Sequence, residues 1–112
     1  MFRYLYVGNF TNISPAAFLG AYHGSELPLI FGTDGEFRGP STKEENETSA
    51  IMENTLAAFA SGGAAGIEKT GWPRCEDART CRVREFGGSP VVKDVDLQSL
   101  AAVCLPALNG EN

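Results

Sequence analysis

The sequence predicts a fold that combines α and β structure, because both strand-type and helix-type segments occur along its 112 residues. Residues 2–7, FRYLYV, are aromatic and β-branched and stop at a glycine, which is typical of a strand. A helix pattern fills the middle of the chain, and two short strand patterns and a last helix pattern follow it. A chain of this length holds one domain at most.

The central helix is predicted to begin at Thr42, which has capping-box spacing to Glu45, and to end at Gly62 and Gly63. Four residues at helical spacing form its expected apolar face: Met52, Leu56, Phe59 and Ala60.

Shorter elements flank this helix. A brief helix is predicted over residues 26–31, ELPLIF, with Ser25 as its cap and Gly32 as its end. Residues 33–42 are a polar linking loop. The remaining segments are predicted as two strands, CRVREF (81–86) and SPVVKDV (89–95), and a final helix, LQSLAAVCLPAL (97–108).

The strand over residues 2–7 has no evident hydrogen-bonding partner in the sequence. An unpaired apolar strand is a liability that folded proteins cover. We therefore expect that its partner belongs to a part of the sheet missing from this chain, or that the strand self-associates.

Charge argues against a nucleic-acid partner. The formal net charge is −5, and the nine basic residues are scattered. Arg79, Arg82 and Arg84 alternate with acidic residues, which predicts a solvated surface. No apolar run reaches the roughly 18 residues that a membrane span needs, and residues 1–10 are too short for a signal-peptide core.

Sequons point to the secretory route. Asn9, Asn12 and Asn46 each satisfy N-x-S/T and are candidate N-glycosylation sites. The sequence therefore favours a secreted protein.

Cysteine spacing leaves two alternatives open. Cys75 and Cys81 can close a short disulfide loop in an oxidising compartment, or remain as small thiols. Their C-x5-C spacing, with one remote histidine, is a poor zinc signature. We predict no metal site and no cofactor.

Two catalytic motifs can be excluded. Gly66 and Gly71 have phosphate-loop spacing, but Trp72 stands where the lysine is required. No serine lies in a G-x-S-x-G nucleophile turn.

His23, the only histidine, is the remaining candidate. Gly20 and Gly24 flank it and allow a backbone path that bulky residues resist. Glu26, three residues on, can orient the imidazole or hold a water. Its alternative role is an acid in the first turn of the following helix, favoured by the helix dipole.

This histidine segment resembles the type B carboxylesterase/lipase family, α/β-hydrolases that include the cholinesterases and fungal extracellular esterases and lipases. The resemblance lies in G-x-x-H-x-x-E, here Gly20, His23 and Glu26, and in the apolar run that ends with Ile30-Phe31-Gly32. The segments RYLYVGNFTNISP, SAIMENTLAAFA and GWP are similar to family segments on either side of it. The likeness covers the chain to about residue 86.

The resemblance implies that His23 is the base of a Ser–acid–His triad, with Glu26 and Gly24 supporting it and no cofactor. The serine and the acidic member lie upstream in relatives, so we expect a C-terminal fragment of an α/β-hydrolase that is inactive alone. An ester or lipid substrate is expected only in the complete enzyme. The fragment is expected to divide into 1–32 (strand, histidine loop and short helix), 33–63 (loop and amphipathic helix) and 64–112 (irregular tail).

Two alternatives are a non-catalytic, cholinesterase-like interaction protein and a small partner-binding protein. Either one can keep His23 without using it in catalysis.

Overall fold

A computed structural model describes residues 1–102, which contain three strands and three α-helices. Single 3-10 turns occupy Ala17–Leu19 and Asp34–Glu36. The main elements are β1 (Tyr4–Tyr6), α1 (Leu27–Ile30), α2 (Lys43–Lys69), β2 (Arg82–Phe86), β3 (Val92–Asp96) and α3 (Leu97–Ala101).

The strands form one small mixed sheet in the order β1-β2-β3. β1 pairs in parallel with β2, with Tyr4 opposite Arg84 and Tyr6 opposite Phe86. β2 pairs antiparallel with β3. The expectation that strand 2–7 has no partner in this chain is therefore wrong, since β2 fills that role. The other edge of β1 has no neighbouring strand within residues 1–102.

Trp72 lies at the centre of the larger core cluster. Its indole N–H donates to the carbonyl oxygen of Arg3 at 3.1 Å, which ties the ring to the start of β1. The ring meets Phe86 edge-on at 5.7 Å between centroids, and Phe2 and Tyr4 at 6.2 Å each. The other buried members of this cluster are Ile13, Leu29, Met52 and Ile67.

A smaller cluster surrounds a disulfide between Cys75 and Cys81, whose Cα atoms are 4.6 Å apart. The backbone N–H of Cys75 donates to the carbonyl oxygen of Met1 at 2.7 Å. The bridge therefore joins the start of the chain to the residue that precedes β2.

α2 begins as the sequence predicts and is interrupted at the predicted glycines. Thr42 and Glu45 form the full capping box. Gly63 has a non-helical backbone, with φ of 58° and ψ of −143°, so the first helical segment ends there and a second one continues to Lys69. The kink folds the last turns back, and a Cβ at Gly66 would overlap the carbonyl oxygen of Ala58.

The buried face of α2 is not the predicted apolar stripe. Of the four stripe residues, only Met52 is buried, whereas Leu56 and Phe59 are 40% and 51% exposed and Ala60 is exposed. The face turned inward is mostly polar: Glu45, Thr48, Ser49, Met52 and Thr55. Its small hydroxyl residues allow close approach of α1, and the Ser49 hydroxyl donates to the carbonyl oxygen of Leu29 at 2.7 Å.

The guanidinium of Arg84 is largely buried and joins three parts of the chain. It forms a two-point ion pair with Asp94 of β3, at 2.9 and 3.2 Å. It also donates to the carbonyl oxygens of Thr70 and Gly71 at the end of α2. The predicted solvated surface therefore holds for Arg79 and Arg82 but is wrong for Arg84.

The predicted final helix is present from Leu97 to Ala101, and the rest of segment 97–108, with Cys104, lies outside the described residues. Within residues 1–102, no helix has both the length and the apolar character to cross a membrane.

A buried polar cluster connects the loop after β1 to the N-terminus of α2. The side-chain nitrogen of Asn12 donates to the Asp34 carbonyl at 3.1 Å, the Ser41 hydroxyl at 3.3 Å and the Gly39 carbonyl at 3.4 Å. Glu45 is 1% exposed, and its Oε1 has no hydrogen-bond partner within residues 1–102. Burial raises the pKa of Glu45 above its ordinary 4.5, and the nearby charge of Asp34 adds to this. The hydrogen bond from the Thr42 N–H and the nearby polar groups of Asn12 and Ser41 act in the opposite direction.

The raised pKa of Glu45 predicts a pH-dependent stability. The folded state binds a proton here more tightly than the unfolded state, so this contribution is complete below the unfolded pKa and is lost as pH rises through the folded pKa. Glu45→Gln keeps the capping-box geometry and should remove this dependence. Urea unfolding followed by Trp72 fluorescence between pH 4 and pH 8 measures it.

Glu44→Gln is the matched control, because Glu44 is the exposed neighbour in the same turn. Equal pH profiles for the two variants would contradict the role assigned to Glu45.

The disulfide between Cys75 and Cys81 leads to a second prediction, which can be tested without an activity assay. Trypsin cleaves after Arg74, Arg79 and Arg82, so a non-reduced digest should contain peptides 75–79 and 80–82 linked as one species. Reduction should separate them, as mass spectrometry can detect. Replacing both cysteines by alanine should lower the free energy of unfolding by about 2 kcal/mol, as expected for so short a loop. Two unlinked peptides in the non-reduced digest would contradict this bond.

Candidate active site around His23

His23 lies on a tight turn between the sheet and α1. The Ser25 N–H donates to the Tyr22 carbonyl at 3.0 Å and closes the turn around His23 and Gly24. Gly24 has φ of 83°, a left-handed conformation that favours glycine. The turn runs directly into α1, since the Leu27 N–H donates to the Gly24 carbonyl at 3.1 Å.

The imidazole of His23 is exposed and makes no hydrogen bond to another residue within 1–102. No serine or carboxylate of the described chain is brought into contact with it as a triad partner. The same residues contain no group of three or more His, Cys, Asp or Glu placed to hold a metal ion. The candidate site on the described residues is therefore a single exposed imidazole.

Glu26 is directed to β1 rather than to the histidine. Its Oε1 accepts a hydrogen bond from the Tyr4 hydroxyl at 3.3 Å. Glu26 is also the residue that precedes α1, and its carbonyl accepts from the Leu29 and Ile30 amides at 3.0 Å each. The prediction of Ser25 as the cap is wrong, because the Ser25 hydroxyl is buried without a hydrogen-bond partner in the described chain.

Tyr4 is a site residue that sequence reasoning missed. Burial, the charge of Glu26 and the hydrogen bond to Glu26 all raise the pKa of Tyr4 above 10.0. The phenol therefore keeps its proton at neutral pH and can donate a hydrogen bond to Glu26. Its only sequence signal is a polar-tipped aromatic residue in the strand before the histidine, which is too common to identify it.

Tyr22 was missed as well. Its hydroxyl donates to the carbonyl oxygen of Ile13 at 3.3 Å, and Arg38 donates to the same oxygen at 2.7 Å. This contact joins the residue before His23 to the loop that follows β1.

The three sequons lie in different environments. Asn9 and Asn46 are exposed, and Asn46 is in the first turns of α2. Asn12 is 6% exposed, and the nitrogen that would carry a glycan makes the hydrogen bonds to the 34–41 loop described above. The prediction of a glycan at Asn12 is therefore not compatible with this fold, in which Asn12 is a structural residue.

An open apolar groove lies beside the Tyr4 end of the site. It has a volume of about 370 Å³ and runs between β1, α2 and Trp72. Phe2 and Tyr4 line one side, and Leu56 and Phe59 line the other. The stripe residues that α2 leaves exposed therefore share one concave surface with β1.

Comparisons with known proteins give two relatives. The chain is 57% identical over 75 residues to "Secreted lipase 5" of Gibberella zeae, which covers 67% of this chain and 14% of that protein. It is 52% identical over 58 residues to "Chlorogenic acid esterase" of Aspergillus niger, which covers 52% of this chain and 11% of that protein. No protein-family profile matches the chain, and no solved structure matches it.

The chain thus spans about a seventh of the length of one relative and about a ninth of the other. Both relatives are named as ester hydrolases, and one is named as secreted, which agrees with an extracellular location and with the disulfide. The chain is related to fungal esterases and lipases and carries an α/β-hydrolase-like region with one exposed histidine.

Proposed function

We propose that this chain is the histidine-bearing, C-terminal part of a secreted type B carboxylesterase or lipase, and that His23 is the triad base. The observation that carries the proposal is the exposed imidazole of His23, held on a tight turn and free of hydrogen bonds within residues 1–102. The identity to a secreted lipase and to an esterase supports the reaction class.

In the complete enzyme, His23 accepts the proton of the serine hydroxyl as the serine attacks the ester carbonyl. It then gives this proton to the departing alcohol. The imidazole next takes a proton from the water that attacks the acyl-serine, and it returns this proton to the serine oxygen as the acid is released. The serine, the acidic member and the oxyanion donors come from the rest of the polypeptide, so the substrate binds only there and no cofactor is needed.

Gly24 and Glu26 support the base without reacting. Gly24 provides the left-handed backbone that exposes His23, and Glu26 is bound to Tyr4. Glu26 is therefore not the acidic triad member in this proposal.

The open edge of β1 and the adjoining apolar groove are covered by the remainder of the enzyme in this proposal. Phe2 and Phe59 line that groove, and Phe59 is 51% exposed. A surface of this kind marks an interaction site or an aggregation risk. If the chain is expressed alone, this surface is available for self-association.

A substitution of the histidine tests the catalytic assignment. In the polypeptide that joins this chain to its upstream sequence, His23→Ala should lower kcat for a p-nitrophenyl ester by at least about a thousandfold, because triad members act as a unit. Gln98→Ala, on the exposed face of α3, is the matched control and should leave activity unchanged. Full activity of the His23→Ala enzyme would exclude His23 as the base.

The native size of the protein tests the fragment assignment. An antibody against residues 33–48 should detect in culture medium a band several-fold heavier than the 112-residue chain, which becomes lighter on deglycosylation. A single band at the size of the short chain would overturn the catalytic proposal. A non-catalytic interaction protein or a small partner-binding protein would then replace it.

A further inference from the structure

The orientation of the His23 turn has to come from its neighbours. The imidazole is exposed and makes no hydrogen bond within residues 1–102. The turn itself is closed by one backbone hydrogen bond, from the Ser25 N–H to the Tyr22 carbonyl. A second backbone bond, from the Leu27 N–H to the Gly24 carbonyl, continues the turn into α1. Neither bond reaches the sheet.

On the side before His23, Tyr22 provides a connection to the core. Its hydroxyl donates to the Ile13 carbonyl at 3.3 Å. Ile13 is 5% exposed, and its own N–H donates to the Phe10 carbonyl at 3.1 Å. The acceptor therefore belongs to a well-packed loop.

On the side after His23, Tyr4 provides a connection to the sheet. Its hydroxyl donates to Oε1 of Glu26 at 3.3 Å. The Tyr4 ring is held edge-on against Trp72 at 6.2 Å and Phe86 at 6.1 Å. These ring contacts orient the Tyr4 hydroxyl toward Glu26.

We propose that Tyr4 and Tyr22 are positioning residues that fix the His23 turn from its two sides, Tyr4 through Glu26 and Tyr22 through Ile13. Neither tyrosine touches the reacting atoms. These two hydrogen bonds fix Tyr22 and Glu26, which flank the exposed part of the turn. The imidazole of His23 therefore keeps one direction relative to β1. The catalytic meaning of this arrangement rests on the proposed function, whereas the ordering of the turn does not.

Tyr4→Phe isolates the hydroxyl, since the phenyl ring can keep its packing on Trp72 and Phe86. In the 112-residue chain, we expect hydrogen exchange of the Ser25 and Leu27 amides to become roughly three- to tenfold faster, as for the loss of one hydrogen bond. Because His23 is the only histidine, its Hε1 resonance can be assigned directly and is also expected to shift or narrow at fixed pH. Tyr22→Phe should loosen the turn from its other side.

Tyr6→Phe is the matched control on the same strand, because the Tyr6 hydroxyl makes no hydrogen bond within residues 1–102. Glu26→Gln keeps an acceptor for Tyr4 and should retain slow exchange, whereas Glu26→Ala should lose it. The effects of Tyr4→Phe and Glu26→Ala should not add, since each removes the same contact. Unchanged Trp72 fluorescence verifies that each variant is folded.

Equal exchange rates in Tyr4→Phe and Tyr6→Phe would overturn the role of Tyr4. In the polypeptide that also carries the upstream sequence, Tyr4→Phe should lower kcat by about tenfold with KM nearly unchanged, because the base is misplaced rather than removed. Faster exchange together with an enzyme insensitive to His23→Ala would support the positioning role and reject the proposed function. The two failures are therefore distinguishable.

Discussion

The parallel pairing of β1 with β2 is the contact on which the rest of the structure depends. It joins segments from opposite ends of the described chain, with Tyr4 opposite Arg84. Once the pair forms, Trp72 is closed in between β1 and Phe86, and its N–H finds the Arg3 carbonyl. The same pairing brings Tyr4 to Glu26 and so connects the sheet to the turn that carries His23.

Helix α2 shows how a polar face can be buried at low cost. The hydroxyls of Thr48 and Thr55 donate hydrogen bonds to the carbonyls of Glu44 and Ile51, one turn earlier in the helix, at 2.8 and 2.7 Å. The hydroxyls of these two threonines are therefore satisfied within the helix itself. Leu56 and Phe59 of the predicted stripe stay exposed and line the groove.

The sequence was sufficient for features that depend on neighbouring residues. The capping box of Thr42 and Glu45 is local, and so are the strand patterns that became β2 and β3. The helix stop at Gly63 was predicted from the glycine pair, but the second helical segment that follows it was not. His23 is exposed on a glycine turn, as a candidate base requires, while its triad role stays a prediction.

Features that depend on distant contacts were not predictable from one sequence. Parallel strands are not joined by a tight turn that can be recognised in the sequence, so the sequence did not show that β2 pairs with β1. Asn12 satisfies a sequon whether it is exposed or, as here, buried against the 34–41 loop. The sequence alone predicts a surface position for Arg84, because its partners Asp94 and the end of α2 are brought to it only by the fold.

The Cys75–Cys81 bridge has a consequence for the order of folding. The two cysteines are six residues apart, so their encounter in an unfolded chain requires little loop closure. The β2–β3 hairpin is also local, whereas the attachment of β1 spans most of the chain and is the slow search. Oxidation therefore fixes Cys75 beside the start of β2 before β1 attaches. The Cys75 amide is then in place to bind the Met1 carbonyl when β1 arrives. We expect refolding with the bridge intact to be faster than refolding of the reduced chain, beyond any difference in final stability.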